Sequence, residues 1–244
     1  MIKIVMLALL LTSICGKLMA QLNQSATGWA AYFNSIKLGD KYTLINDLQF
    51  RTNADYQKLQ TLLPRISLNR NLGGGKQVGI GYAHIFNKTG NPAETEYVAE
   101  KRIFQQFIIS QQIKNTLLSH RFRLEERFLP VTTLNGAGSS KVTDHKYNTR
   151  VRYFTRWIKP INNKESGFSS GWFTGVQNEI FINATHFKNV NGKIFDQNRL
   201  YGFFGYRLSK KTDLELGYMN QFIKTNAPKD QMNHIAQIAI YNRF

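Results

Sequence analysis

Arginine recurs at even spacing in two stretches of the sequence, as Arg121, Arg123 and Arg127 and again as Arg150, Arg152 and Arg156. A step of two residues is the repeat of one face of a β-strand, so each trio shares a face. If the two strands are neighbours, six guanidiniums repel one another unless acids, water or anions lie between them. Glu125, Glu179, Glu215 and Asp47 fall on polar rows and can offset part of the charge. Two chemistries follow. One is a positive wall that favours binding or passage of small anionic solutes, with Arg121, Arg123, Glu125, Arg127, Arg150, Arg152, Arg156 and Glu179 as its lining. The other is a ladder of salt bridges that plugs a narrow barrel.

Other reactive groups are sparse. The histidines are His84, His120, His145, His186 and His234, and none has a serine two residues away on its own strand face. Ser119 sits beside His120 and therefore points the other way, which argues against a lipid-hydrolysing Ser–His pair. No His or carboxylate cluster has metal-ligand spacing, and no cofactor is expected. Gly73-Gly74-Gly75-Lys76 is a tight-turn signal between strands, not a phosphate loop, since no helix follows it.

These residues must be held by something, and composition narrows the choice. The chain has 244 residues, 42% hydrophobic and 13% aromatic, with 32 Lys and Arg against 15 Asp and Glu. So many aromatics exclude disorder. Residues 1–20 read as a cleaved signal peptide: Lys3, an apolar stretch from Ile4 to Leu11 with Ile14, and a small residue at Ala20 before the cut. Bulky Ile14 before Cys15 disfavours lipidation there. Loss of this segment removes the one cysteine and leaves a mature domain, residues 21–244, with no thiol chemistry. No later apolar run reaches the roughly 18 residues a membrane helix needs.

The period along the mature chain is two. Tyr42, Leu44, Leu48 and Phe50 alternate with Thr43, Asp47, Gln49 and Arg51, and the pattern returns around 61–69, 121–128, 147–157, 214–222 and 236–244. Less regular runs near 29–38, 77–86, 100–111, 171–182 and 198–207 bring the total to about eleven strands, within a range of 10–12. Short connections at 38–41, 71–76, 113–119 and 209–213 alternate with long polar ones at 87–95, 130–146, 183–197 and 224–233.

Alternation alone is degenerate between a secreted soluble sandwich or lipocalin-like barrel, apolar row inside, and a membrane barrel, apolar row on lipid. The signal peptide, strands of about nine to thirteen residues, and aromatics near strand ends (Tyr42, Trp157, Trp172, Tyr218, Phe222 and Phe244) favour an antiparallel up-and-down transmembrane β-barrel. The terminal Phe244 with Ile240 and Ile238 looks like the assembly signal read by the barrel assembly machinery, although Asn242 occupies a position usually apolar.

On Trp29, Tyr32, Lys37-Leu38-Gly39-Asp40-Lys41-Tyr42, Asp47-Leu48-Gln49-Phe50-Arg51, Arg121-Phe122-Arg123-Leu124-Glu125, Asn148-Thr149-Arg150-Val151-Arg152-Tyr153 and the terminal Phe, the sequence resembles an uncharacterised family of Gram-negative outer-membrane β-barrels, domain of unknown function 2490. The resemblance implies a porin-like barrel in the outer membrane and no established activity. Counting connections back from a C-terminus on the short-turn side gives eleven strands with the N-terminus on the opposite side, whereas bacterial barrels usually have an even count. Loop lysines Lys141, Lys146, Lys188, Lys193 and Lys229 suit contact with outer-membrane lipid and lipopolysaccharide. Nucleic acid is a poor partner, because no recognised module is present. A lipid-modifying enzyme and a secreted ligand-binding barrel stand as the alternatives to a small channel or plugged scaffold.

Overall fold

The computed structural model describes residues 22–54, 56–88, 96–134, 140–161 and 168–244. The signal peptide expected at 1–20 lies outside them, as do parts of the long connections expected at 87–95 and 130–146.

Eleven strands follow in chain order: β1 (Leu22–Leu38), β2 (Tyr42–Thr52), β3 (Leu59–Gly73), β4 (Lys76–Lys88), β5 (Tyr97–Ile113), β6 (Thr116–Leu134), β7 (Ser140–Pro160), β8 (Gly171–Thr185), β9 (Phe195–Ser209), β10 (Thr212–Ile223) and β11 (Asp230–Arg243). Each pairs antiparallel with its sequence neighbours, and the sheet closes where β1 meets β11 in parallel. That seam resolves the parity problem. With an odd number of strands, β1 and β11 must run the same way, and their register runs from Leu22 opposite Asp230 to Ser35 opposite Arg243. Phe244 extends it: its N–H donates to Ser35 O, and its carbonyl accepts from Lys37 N–H, both at 2.8 Å. Closure gives every strand a paired neighbour on both sides within the barrel wall.

The side-chain rows decide which face is dry. Leu216 is 65% exposed while Glu215 beside it is 2% exposed. Ile80, Leu200, Phe204 and Ile238 likewise point out, while Asn69, Gln106, Arg150 and Asn183 are buried inside. A protein folded in water reverses this order, so the soluble sandwich and the lipocalin-like barrel are overturned. The wall is that of an all-β transmembrane barrel, apolar outside and polar within.

Three expectations change in detail. Strands run from 11 to 21 residues, longer than nine to thirteen. Much of the excess is a ribbon in which residues 129–134 of β6 pair with 140–146 of β7 and with no other strand. Pro130 is therefore a strand residue, opposite His145, tolerated because a two-stranded ribbon has free edges. Tyr218 lies in the middle of β10 and not at a girdle, whereas Tyr42, Trp157 and Trp172 do stand exposed at the short-turn end.

Inside, bulky rings lie over glycines of the neighbouring strand. Phe203 pairs across with Gly175 and with Gly217, Phe173 with Gly205, and Phe104 with Gly81. A Cβ at Gly175, Gly205 or Gly81 would come within 2.4, 2.2 and 2.3 Å of those rings. Phe173, Tyr201, Phe203, Met219, Ile235 and Trp29 form one buried cluster, with Ile158 and Phe168 packed on it. On the opposite side, Gln106 Nε2 donates to Asn69 Oδ1 at 2.8 Å and to Ser67 Oγ at 3.2 Å, reaching from β5 to β3 across glycine-bearing β4. Aromatic rings and amides thus fill the lumen toward its short-turn end.

Candidate functional site

Above that filling the lumen opens into a chamber of about 240 Å³, lined by eight arginines and one carboxylate, Glu179. A wider vestibule of about 640 Å³ at the long-loop end carries Arg127, Lys146 and Lys224 against the carboxylate of Asp196. Arg51, Arg102, Arg150 and Arg199 belong to both cavities and form the wall between them. The 3₁₀ turn at Phe187–Asn189 borders the vestibule and is fastened by asparagines. Asn189 Nδ2 donates to Tyr147 O at 2.7 Å and Asn191 Nδ2 to Lys224 O at 3.0 Å.

All eight residues expected to line the lumen point inward, and most are ion-paired. Glu125 is a hub. Its Oε2 accepts from Arg150 Nη2 at 2.6 Å, its Oε1 from Arg152 Nη1, and Arg102 and Arg123 stand at 3.7 and 3.9 Å. Glu179 accepts from Arg152 at 2.6 Å and Arg121 at 2.9 Å. Glu100 holds Arg102 and Arg127 at 2.6 and 2.7 Å. Glu215 takes Arg156, and Asp47 takes Arg65 in a two-point fork at 2.8 and 2.9 Å. Asp196 accepts from Arg150 Nη1 at 2.6 Å. Ion pairs thus link neighbouring and more distant strands around the lumen.

The charge does not balance. Arg51, Arg65, Arg102, Arg121, Arg123, Arg127, Arg150, Arg152, Arg156 and Arg199 face Asp47, Glu100, Glu125, Glu179, Asp196 and Glu215, four more cations than carboxylates. The surplus is spread over aromatic faces. Arg51 lies 3.9 Å above the Trp29 ring and Arg199 5.1 Å from it, while Arg199 and Arg152 approach Phe181 at 4.7 and 4.4 Å. Such contacts tolerate a cation in a partly dry site without neutralising it. Among the described residues no carboxylate comes within ion-pair reach of Arg51, whose Nη2 donates to the neutral Gln49 Oε1 at 2.8 Å. The Nε of Arg51, the Nε of Arg121 and Nη1 of Arg123 are buried donors with no acceptor.

The alternation that revealed the trios missed Arg102 and Arg199. Their rows run Glu100, Arg102, Phe104, Gln106 and Gln197, Arg199, Tyr201, Phe203, so inward aromatics break the polar signal. The cue was the inward glycine on the neighbouring strand, which makes room for each ring.

The residues weighed for catalysis are scattered. Ser119 Oγ points inward at 3.2 Å from Ser110 Oγ, whereas His120 Nδ1 lies outside at 2.8 Å from the Tyr153 hydroxyl. His84 pairs with Tyr82 and His234 with Tyr218, both on the outer face. Among the described residues no group of three or more His, Cys, Asp or Glu is placed to hold a metal.

Comparison with solved structures finds the same fold in a NanC porin, with a TM-score of 0.50 and 10% identity over 84% of this chain and 92% of that one. No curated protein matches the sequence. Residues 26–233 match the family described as Protein of unknown function (DUF2490), and a match over that much of the sequence makes this chain a member of it.

Proposed function

We propose that the protein is an integral barrel of the Gram-negative outer membrane, exported by the signal peptide at 1–20, whose basic lumen takes up small anionic solutes from the long-loop side. The long-loop end then faces the medium and lipopolysaccharide, and the short turns face the periplasm. The porin-like fold and apolar wall support the location. One observation carries the anion reading: four more arginines than carboxylates face one another around the chamber and vestibule. Guanidiniums confined together at low effective dielectric repel strongly, and mobile anions are the means of neutralising them.

The rings and amides below the chamber support narrow, selective conduction over a wide diffusion pore. They equally support a second reading, a plugged scaffold that binds anions without passing them. Planar-bilayer recording separates the two. A small conductance whose reversal potential in a KCl gradient sits toward that of chloride is expected of the channel, and silence with retained anion binding marks the scaffold. Cation preference refutes the basic-lumen reading. Release of acyl chains from labelled phospholipid or lipopolysaccharide would restore the enzyme.

A further inference from the structure

Resting on the anion reading, we infer that the chamber is built for a small solute carrying two or more negative charges, and that Arg51 and Arg199, arranged around Trp29, decide its admission. Three features of the geometry carry this. The first is volume: at about 240 Å³ the chamber has room for a compact solute and not for a polymer. The second is charge. A monovalent ion small enough to enter offsets one of four surplus guanidiniums, whereas a compact dicarboxylate or a phosphate dianion offsets two and a tricarboxylate three in one binding event. Two oxyanion groups on one molecule also match a wall of planar forks, which bind such groups in bidentate fashion.

The third is position. Most chamber arginines are committed to carboxylates at 2.6–2.9 Å. Arg51 has only an amide partner, and Arg199 is 3.9 Å from Glu179. Both belong to the wall shared by vestibule and chamber. An anion arriving from the vestibule meets these two weakly committed guanidiniums at the point of entry. Stacking on Trp29 holds the Arg51 fork in place and lowers the ordering cost of binding.

The test uses full-length mature protein folded in detergent, titrated calorimetrically with acetate, succinate, citrate and inorganic phosphate at constant ionic strength. Trp29 emission is followed in parallel in a Trp157→Phe/Trp172→Phe background. Citrate and succinate are expected to bind at least about tenfold more tightly than acetate and to alter Trp29 emission, phosphate falling with them. Arg51→Gln/Arg199→Gln, checked for folding by heat-modifiable gel mobility, is expected to lose about tenfold or more of the citrate affinity, as for removal of a charged hydrogen bond. Equal binding of acetate and citrate overturns the charge class while leaving an anion site standing. Unchanged citrate affinity in the double variant overturns the role of Arg51 and Arg199. If no anion binds at all, the basic-lumen reading fails as well. The acetate-to-citrate series on the unaltered protein decides the charge class even if the double variant does not fold.

Discussion

Neutralising Glu125 should cost far more than neutralising Arg51, although both remove one buried charge from the same lumen. Glu125 accepts from Arg150 and Arg152 and has Arg102 and Arg123 within 4 Å. At that separation and an effective dielectric near 20, each charge pair is worth about 4 kcal/mol before desolvation is counted. Glu125→Gln keeps the shape, removes the attraction, and leaves four guanidiniums facing one another. The net cost should be about 3–5 kcal/mol, as for other buried pairs broken on one side. Arg51 has no carboxylate to strand, so Arg51→Gln relieves repulsion and gives up only the Trp29 stack and a hydrogen bond to Gln49. Its change should stay within about 1 kcal/mol of zero, since a cation–π contact is itself worth roughly that much. Urea unfolding in lipid vesicles, followed by tryptophan emission and by gel mobility of unheated samples, measures both. Citrate in the buffer should recover part of the Glu125→Gln loss by standing in for the missing carboxylate. Equal losses in the two variants, or a Glu125→Gln barrel as stable as its parent, would refute the view that this lattice holds the charge.

Other outcomes follow from the filling and the topology. Gly205→Ala, whose new Cβ would meet the Phe173 ring at 2.2 Å, should cost about 1–3 kcal/mol by overpacking, read as a lower unfolding midpoint. Phe173→Ala/Phe203→Ala should raise single-channel conductance by removing two rings from the lumenal filling; an unchanged conductance would place the constriction elsewhere. A membrane-impermeant maleimide should label Lys229→Cys on intact cells and Lys211→Cys only after permeabilisation, and the reverse result would invert the orientation. Deleting Phe244, which donates to Ser35 and accepts from Lys37, should slow appearance of the heat-modifiable form.

The strands were legible because every second side chain meets a different solvent. Leu214, Leu216 and Tyr218 stand out against Asp213, Glu215 and Gly217 whichever face is wet. Their direction was not legible from alternation, and the exposure of Leu216 beside buried Glu215 is what fixes it. Strand ends were blurred where β6 and β7 outrun their other neighbours, since a free ribbon tolerates Pro130 and the polar residues that elsewhere mark loops. Of the site, the two arginine trios and the offset by Glu125 and Glu179 were readable from spacing. Arg150 and Arg152, the natural choices for a test of selectivity on that basis, turn out to hold Glu125 in place. The weakly paired cations of the chamber, Arg51 and Arg199, emerge only from knowing which residues the barrel sets beside them, because Glu179 is 20 residues from Arg199 and stands opposite it through the pairing of β8 with β9.

The parallel seam limits how this barrel can be rewired. Hairpins enter or leave a β-meander two strands at a time, so duplication or loss of hairpins preserves an odd count, and an even-stranded relative differs by a lone strand. Leu22 and Arg243, the outermost residues of the strands that meet at the seam, lie at opposite rims. A circular permutant joining them needs a linker that threads the lumen or crosses the bilayer, so a permutation that a short loop allows in an even-stranded barrel is closed to this one.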